Sequence, residues 1–399
     1  MHSPSCCENI FIFPIPDICF FLLFFYRKPV PKKGAQSGLV TSCTFGCMQL
    51  KKTLFRISHW ETWPYRVKYI PLIPVWLWYC LRSHSWWWFT PSNPSLTFGG
   101  FEGEGKKEMY EQLPPGTYPK SRYISPKMGF NEVVTRIADG NFQYPVAVKP
   151  DIGTMGFMFR KIENEQQLKK YHQKMPSDYI IQEFVTYPLE VSVFYYRFPQ
   201  HEKGTITGFI KKEFLEVKGD GRSTLWQLIQ RYERVQYRLD EMKTKHEHKL
   251  DDIIPENEIF ILSPALNLSR GGRLVSLEHE KDERLLKVFD DLSHYTKYFY
   301  YGRYDIKCAS VEELKAGRNY SILEFNGSGA EPHHAYGNGN TLWQAHQIFL
   351  RHWKILYRIS KYNDAHGVPY WGFTRGRKFL KAARKEYNML KKIDAETEL

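Results

Sequence analysis

Two short runs of this sequence put charged and amide side chains where strand geometry would gather them. In ILEFNGSG (322–329), Glu324 and Asn326 are two residues apart and share one face of an extended chain, while Leu323 and Phe325 take the other. In YGRYDIK (301–307), Arg303 and Asp305 share a face in the same way. The polar connection CASVEELKAGRNYS makes the two runs neighbouring strands. Asp305, Glu324 and Asn326 then offer three hard oxygen donors of the kind that hold Mg²⁺. Because Mg²⁺ retains waters and takes few protein ligands, the set makes most chemical sense with phosphate oxygens completing the shell, which implies a nucleotide. Arg303 would meet an anionic intermediate. The competing reading is an edge hairpin with solvated polar faces.

A phosphate side is found in VAVKPDIGTMGFMFRK (146–161), where Lys149 ends an apolar strand. Gly153 and Gly156 permit a loop whose backbone N–H groups approach phosphate closely. The pattern is neither the P-loop nor the dinucleotide fingerprint, and a glycine turn in a hairpin explains it equally. IIQEFV (180–185) reads as an adenine-binding edge strand, with Glu190 placed for ribose hydroxyls.

These segments need a frame. Periodicity predicts helices near 106–113, 130–139 and 165–173, strands at 145–150, 158–162, 179–185 and 190–198, and one or two more strands within 204–217. Two helical stretches follow over 223–250, the second charged and solvated, and the chain from Thr341 onward reads as helices ending in a basic, solvated tail. Strands alternate with helices and hairpins, so the class is α/β or α+β, without solenoid repeats.

With 399 residues, 42% of them hydrophobic and 25% charged, the chain belongs with folded rather than disordered proteins. Its net charge of +13 favours anionic partners without choosing among them. Trp60, Trp63, Trp76, Trp78, Trp86, Trp87 and Trp88 fall in one stretch lacking regularly interleaved Arg and Lys, which argues against nucleic acid. That stretch suits internal packing first, and a subunit contact between two copies or a peripheral membrane contact second. Five of seven cysteines precede residue 48, and the remainder show no metal or disulfide spacing, as in a reducing cytoplasm. The apolar run ICFFLLFFY (18–26) lacks a basic n-region and is too short to span a bilayer. Translation is accordingly expected to begin at Met48, with a membrane anchor as the alternative.

Taken in order, KP, G-x-x-G, QEFV with Glu190 downstream, RYD and LEFN resemble the ATP-grasp superfamily of carboxylate–amine ligases over roughly residues 100–345. The arrangement is similar to D-alanine–D-alanine ligase, and KKEFLEVKGDGRSTLWQLI with NLSRGG resembles the ATP-grasp part of cyanophycin synthetase. The resemblance implies two α+β subdomains clasping ATP between antiparallel sheets. It divides the chain into 1–47, an aromatic-rich 48–104, an ATP-grasp domain 105–345 with a lid over 145–190, and a helical extension 346–399. It assigns Lys149 and Lys106 to ATP phosphates, Gln182, Glu183, Phe184 and Val185 to the adenine hinge, and Glu190 to ribose. Asp305, Glu324 and Asn326 fall on the metal ligands, Arg303 on the arginine that stabilises the tetrahedral intermediate, and Lys212 on a basic phosphate contact. The GDGRST turn (219–224) and Asn267, Ser269, Arg270 and Gly271 match features near the ATP and acceptor sites.

The activity so implied is phosphorylation of a small-molecule carboxylate by ATP with Mg²⁺, for which Mn²⁺ is the alternative metal, followed by attack of an amine on the acylphosphate. Two Mg²⁺ ions and Lys149 would neutralise charge, and Gly153–Gly156 would close as a lid. A small-molecule kinase and a non-catalytic, membrane-associated nucleotide binder are the alternatives. Two departures stand out: the stretch before Lys106 is too short for the usual N-terminal subdomain, and one extra residue separates QEFV from Glu190. Glu331, His333 and His334 lie where an acceptor could be held, but read as ordinary polar loop residues.

Overall fold

The computed structural model describes residues 58–153, 156–263 and 272–396. The segment 1–47, the start at Met48, and Asn267, Ser269, Arg270 and Gly271 lie outside the described residues. Two compact units are distinguished, the larger comprising Val75–Glu213, Leu274–Asn340 and the chain from Gln344, the smaller built mainly on Phe214–Arg273.

The larger unit contains two sheets. In the first, β1 (Ser121–Ile124), β2 (Val146–Pro150), β3 (Arg160–Ile162) and β4 (Tyr179–Glu183) run antiparallel in the order β1-β4-β2-β3. Val146 and Val148 alternate with Ala147 and Lys149, so one face is fully apolar. Against it pack the helices Phe130–Asp139, through Val133 and Ile137 one turn apart, and Glu165–Lys174, through Leu168 and Tyr171. The second helix starts where the Asn164 side chain accepts a 3.0 Å hydrogen bond from the Gln167 amide. Each such buried aliphatic or aromatic side chain contributes about 1.5–3 kcal/mol. Leu390 and Ile393 of the last helix, Phe373–Glu396, complete this core.

The second sheet holds β5 (Leu189–Tyr196), β6 (Thr205–Glu213), β9 (Arg273–Ser276), β10 (Tyr301–Cys308) and β11 (Tyr320–Asn326) in the order β11-β10-β5-β6-β9. Val191, Val193, Tyr304, Ile306 and Ile322 face the helix Glu283–Thr296, which contributes Leu285, Phe289 and Leu292. The opposite face carries the charged residues. The smaller unit pairs β7 (Leu215–Lys218) with β8 (Ile259–Ser263). Its helix Leu225–Arg231 is opened by a reciprocal cap between Thr224 and Gln227. The next helix, Leu239–Lys245, is not wholly solvated as expected, because Leu239 and Met242 join a core with Leu215, Ile229 and Leu262.

The architecture is therefore mixed α and β with antiparallel sheets. The sequence reading of IIQEFV as an edge strand is corrected: β4 is interior because β1 pairs with it, Ser121 opposite Gln182. Much of the tryptophan-rich stretch packs internally, while Trp78 and Trp86 are exposed. Trp87, Trp88, Phe89 and Phe98 are fully buried, and Trp76 stacks edge-on to Trp353 at 5.1 Å. Among the described residues no helix is long and apolar enough to cross a membrane. Asn93 ties this stretch to β10, donating to the Tyr301 carbonyl at 2.9 Å and accepting from the Tyr300 and Tyr301 amides. The amides of Ser328 and Gly329 donate to the carbonyls of Gly99 and Gly100. A Cβ on Gly329 would come within 2.0 Å of the Phe101 carbonyl oxygen, so only glycine permits this contact beside the end of β11.

Candidate functional site

β10 and β11 pair antiparallel with Asp305 opposite Glu324 and Arg303 opposite Asn326, which brings all four side chains together as the alternation predicts. β5 lies on the other side of β10, with Ser192 opposite Asp305 and Glu190 opposite Lys307. β6 then sets Lys212 opposite Glu190. Three adjacent strands thus deliver one charged cluster.

Asp305 is its centre and is 6% exposed. Arg303 donates Nε to Asp305 Oδ1 at 3.1 Å and Nη2 to Oδ2 at 3.0 Å, while its Nη1 reaches the Glu331 carbonyl at 2.9 Å. Lys212 lies 3.2 Å from Asp305 and 3.1 Å from Glu190. The Ser192 hydroxyl donates to Asp305 Oδ1, and the Asn326 amide donates to Oδ2 at 3.2 Å. Burial opposes ionisation of Asp305, but Arg303 and Lys212 outweigh it and hold the carboxyl far below the usual carboxylate range. Burial likewise works against the charge on Lys212, and Asp305 with Glu190 more than restores it.

The first sheet meets this cluster at Lys149. Its Nζ donates to the Tyr110 hydroxyl at 2.9 Å and to the Leu323 carbonyl at 3.1 Å, and Tyr110 donates to that same carbonyl. Among the described residues no carboxylate lies within ion-pair distance of it, and burial lowers its pKa to about 8 despite the attraction of Glu324. Lys106 lies 3.9 Å from Glu324 and donates to the Gly153 carbonyl at 2.8 Å. Gly156 has a φ of +71°, a conformation suited to glycine. Thr154 and Met155 between the glycines lie outside the described residues.

After β4 the expected adenine segment divides by face. Gln182 points inward, donating to Ser121 Oγ at 2.7 Å, whereas Glu183 points outward and accepts from the Lys120 amide at 3.0 Å. The Phe184 ring lies under the ammonium groups of Lys161 and Lys307, and the Val185 carbonyl accepts from Lys307 at 3.1 Å. Phe184 and Val185 therefore sit beside a lysine that the sequence reading did not select.

Three further groups went unselected. Tyr110 and Ser192 bind residues distant in sequence, so no local spacing marks them. Glu104 lies in electrostatic reach of Glu324 and Lys106, and burial first, with Glu324 adding, pushes its carboxyl up to about 7. His333 and His334 are not ordinary loop residues. His333 immediately precedes the short helix His334–Gly337 and sits 3.4 Å from Ser192 Oγ, and burial holds its pKa well below the usual value. His334 is 7% exposed and packs against Gly208, where any Cβ would collide with its ring. Glu331 accepts from the Tyr336 hydroxyl.

Among the described residues, no group of three or more His, Cys, Asp or Glu side chains forms a metal cluster. The oxygen set of Asp305, Glu324 and Asn326 fits Mg²⁺ in donor chemistry: two carboxylates and an amide oxygen, with Asp305 ionised. In this state the positive charge at Asp305 is supplied by Arg303 and Lys212.

No protein-family model matches the chain, and no curated protein matches it in sequence. Among solved structures it is similar to a bifunctional glutathione synthetase from Pasteurella multocida (12% identity, 62% of this chain and 35% of that one, TM-score 0.38). It is also similar to a D-alanine–D-alanine ligase from Bacillus anthracis (12% identity, 66% and 69% covered, TM-score 0.37). A third is the VanG D-Ala:D-Ser ligase from Enterococcus faecalis (15% identity, 60% and 57% covered, TM-score 0.33). The matched part spans about a third of the glutathione synthetase.

Proposed function

We propose that the larger unit is an ATP-dependent ligase site that joins a small-molecule carboxylate to an amine. The observation that carries this reading is the juxtaposition, where two sheets meet, of a largely buried lysine that has no carboxylate within ion-pair distance among the described residues and an oxygen cluster centred on buried Asp305: Lys149 bonds the carbonyl of Leu323, immediately before Glu324. A triphosphate satisfies both sides, its oxygens taking the charge of Lys149 and Lys106. Mg²⁺ held by Asp305, Glu324 and Asn326 would supply neutralisation of phosphate charge there. Gln182, Glu183, Phe184 and Val185 form the base segment, and Glu190 meets the ribose.

In the reaction, a substrate carboxylate oxygen attacks the γ-phosphorus of ATP and ADP leaves, giving an acylphosphate. An amine nitrogen then attacks the acyl carbon, phosphate departs, and the amine loses a proton. This chain's part is to align charge and exclude water. Arg303 is placed to receive the oxyanion, since exchanging Asp305 for that oxygen keeps its charge paired. Lys212, held charged, contributes to the same field.

The test is ADP release by the full chain with Mg²⁺ and ATP, in the presence of pooled carboxylates and amines. Release that needs an added amine and vanishes in Asp305→Ala and Glu324→Ala is expected. Release with a hydroxyl compound alone replaces the ligase with a kinase, and nucleotide binding without any turnover leaves only a binding role.

A further inference from the structure

The last helix, Phe373–Glu396, lies beyond the segment that resembles the ligases, yet one stripe of it runs along both segments that bear the phosphate lysines. Phe379, Ala383, Tyr387, Leu390 and Asp394 recur at intervals of four, four, three and four. That spacing gathers them within about 80° of one another around the helix, over a length of about 22 Å. Phe379 and Ala383 close on Gly103, three residues before Lys106: a Cβ there would lie 2.7 Å from that of Ala383 and 3.2 Å from the Phe379 ring. The other three meet the turn between β2 and β3, which starts at Lys149. Tyr387 stands edge-on to Phe157 with ring centroids 5.5 Å apart, and Leu390 lies beside Gly153. Asp394 Oδ1 accepts from the Met158 amide at 2.8 Å and from Arg160 Nη1 at 2.9 Å.

Met158 is where the polar contact counts. Its φ of +56° is a backbone conformation that residues with a side chain rarely take, and it persists only where the surroundings fix it. Asp394 takes its N–H, and the Tyr171 hydroxyl donates to its carbonyl at 2.9 Å. Earlier in the turn Lys106 is docked: its Nζ donates to the Gly153 carbonyl at 2.8 Å and its amide to the Asp151 carbonyl at 3.1 Å. We propose that the last helix braces the two phosphate lysines, with Asp394 as the positioning residue that sets the turn between β2 and β3 for the nucleotide. The inference rests on the reading of Lys106 and Lys149 as phosphate contacts. Closing a core needs apolar contacts alone, whereas a carboxylate aimed at the amide of a strained residue fixes a backbone direction. In a site that works by alignment, a misplacement of about 1 Å costs on the order of a hundredfold.

The experiment compares the full chain with Asp394→Ala and Asp394→Asn, by amide hydrogen exchange and by titration with ATP and with adenosine. In Asp394→Ala the amides of residues 156–159 should exchange at least about tenfold faster, while those of β10 and β11 keep the parent's rates. ATP affinity should fall about tenfold with adenosine affinity unchanged, a split that a general loss of fold does not produce. Asp394→Asn keeps an oxygen to accept from the amide and should restore most of both. Unchanged exchange in Asp394→Ala overturns the proposal, as does an equal loss for ATP and adenosine, or an Asn variant no better than the Ala one. A parent that binds no ATP overturns the nucleotide reading and this inference with it, a failure read on the parent alone.

Discussion

Two largely buried lysines, one in each sheet of the larger unit, have opposite environments. Among the described residues Lys149 on β2 bonds neutral acceptors, the Tyr110 hydroxyl and the Leu323 carbonyl, and burial pulls its pKa to about 8. Lys212 on β6 sits between Asp305 and Glu190 and is held more firmly charged than a free lysine. A cation left without an anion is costly to bury and gains most from an incoming phosphate. A cation already paired is part of the scaffold and can only exchange partners. The four-stranded sheet thus bears the vacancy in charge, and the five-stranded sheet bears the reserve.

Breaking the reserve should have the largest effect. Asp305→Ala leaves Arg303 and Lys212 buried together without their shared carboxylate, and a loss of about 3–5 kcal/mol in urea unfolding is expected. Unchanged stability would mean that these contacts are not what holds β5, β6 and β10 in place. Lys149→Met should do the reverse. Its folded pKa of about 8 lies below the ordinary 10.5, so the unfolded chain binds the extra proton between those values and stability rises with pH across that window. Below about pH 8 both states are charged and the burial cost is present in full, roughly 3 kcal/mol. The Met variant should therefore unfold at higher urea at pH 7, with a smaller gain at pH 9.5, while ATP affinity falls; a destabilised variant would recast Lys149 as structural.

A finer probe is Glu190→Gln, which removes one of the two carboxylates at Lys212 and leaves Asp305. A cost of about 1 kcal/mol is expected in the same unfolding assay. If Glu190 meets the ribose as proposed, ATP affinity weakens as well. If only stability moves, Glu190 serves Lys212 alone.

The hairpin of β10 and β11 was legible because its pattern is local: alternation places Asp305, Glu324 and Asn326, and the strands pair directly across their connection. Phe130–Asp139 was legible for the same reason, its apolar residues recurring at helical spacing. β1 was not, since SRYI is four residues between prolines and becomes a strand only by pairing with β4. That pairing turned the expected edge into an interior strand. The roles of Tyr110, Ser192 and Lys307 were hidden for a related reason: each is fixed by a partner more than a hundred residues away. The tryptophans carried the correct composition for several uses, and Asn93 with the glycines at 99, 100, 327 and 329 decides for packing.

The small sheet is made from residues 121–183, yet Leu390 and Ile393 lie in its core, and Asp394 accepts from the Met158 amide at 2.8 Å and from Arg160 at 2.9 Å. A ribosome releases those partners more than two hundred residues after the sheet itself. During synthesis the β2–β3 hairpin must therefore wait with part of its apolar face uncovered, while the five-stranded sheet can close as soon as β11 emerges. The order of assembly is set by the chain: the part that carries the paired charges first, the part that carries the unpaired lysine last.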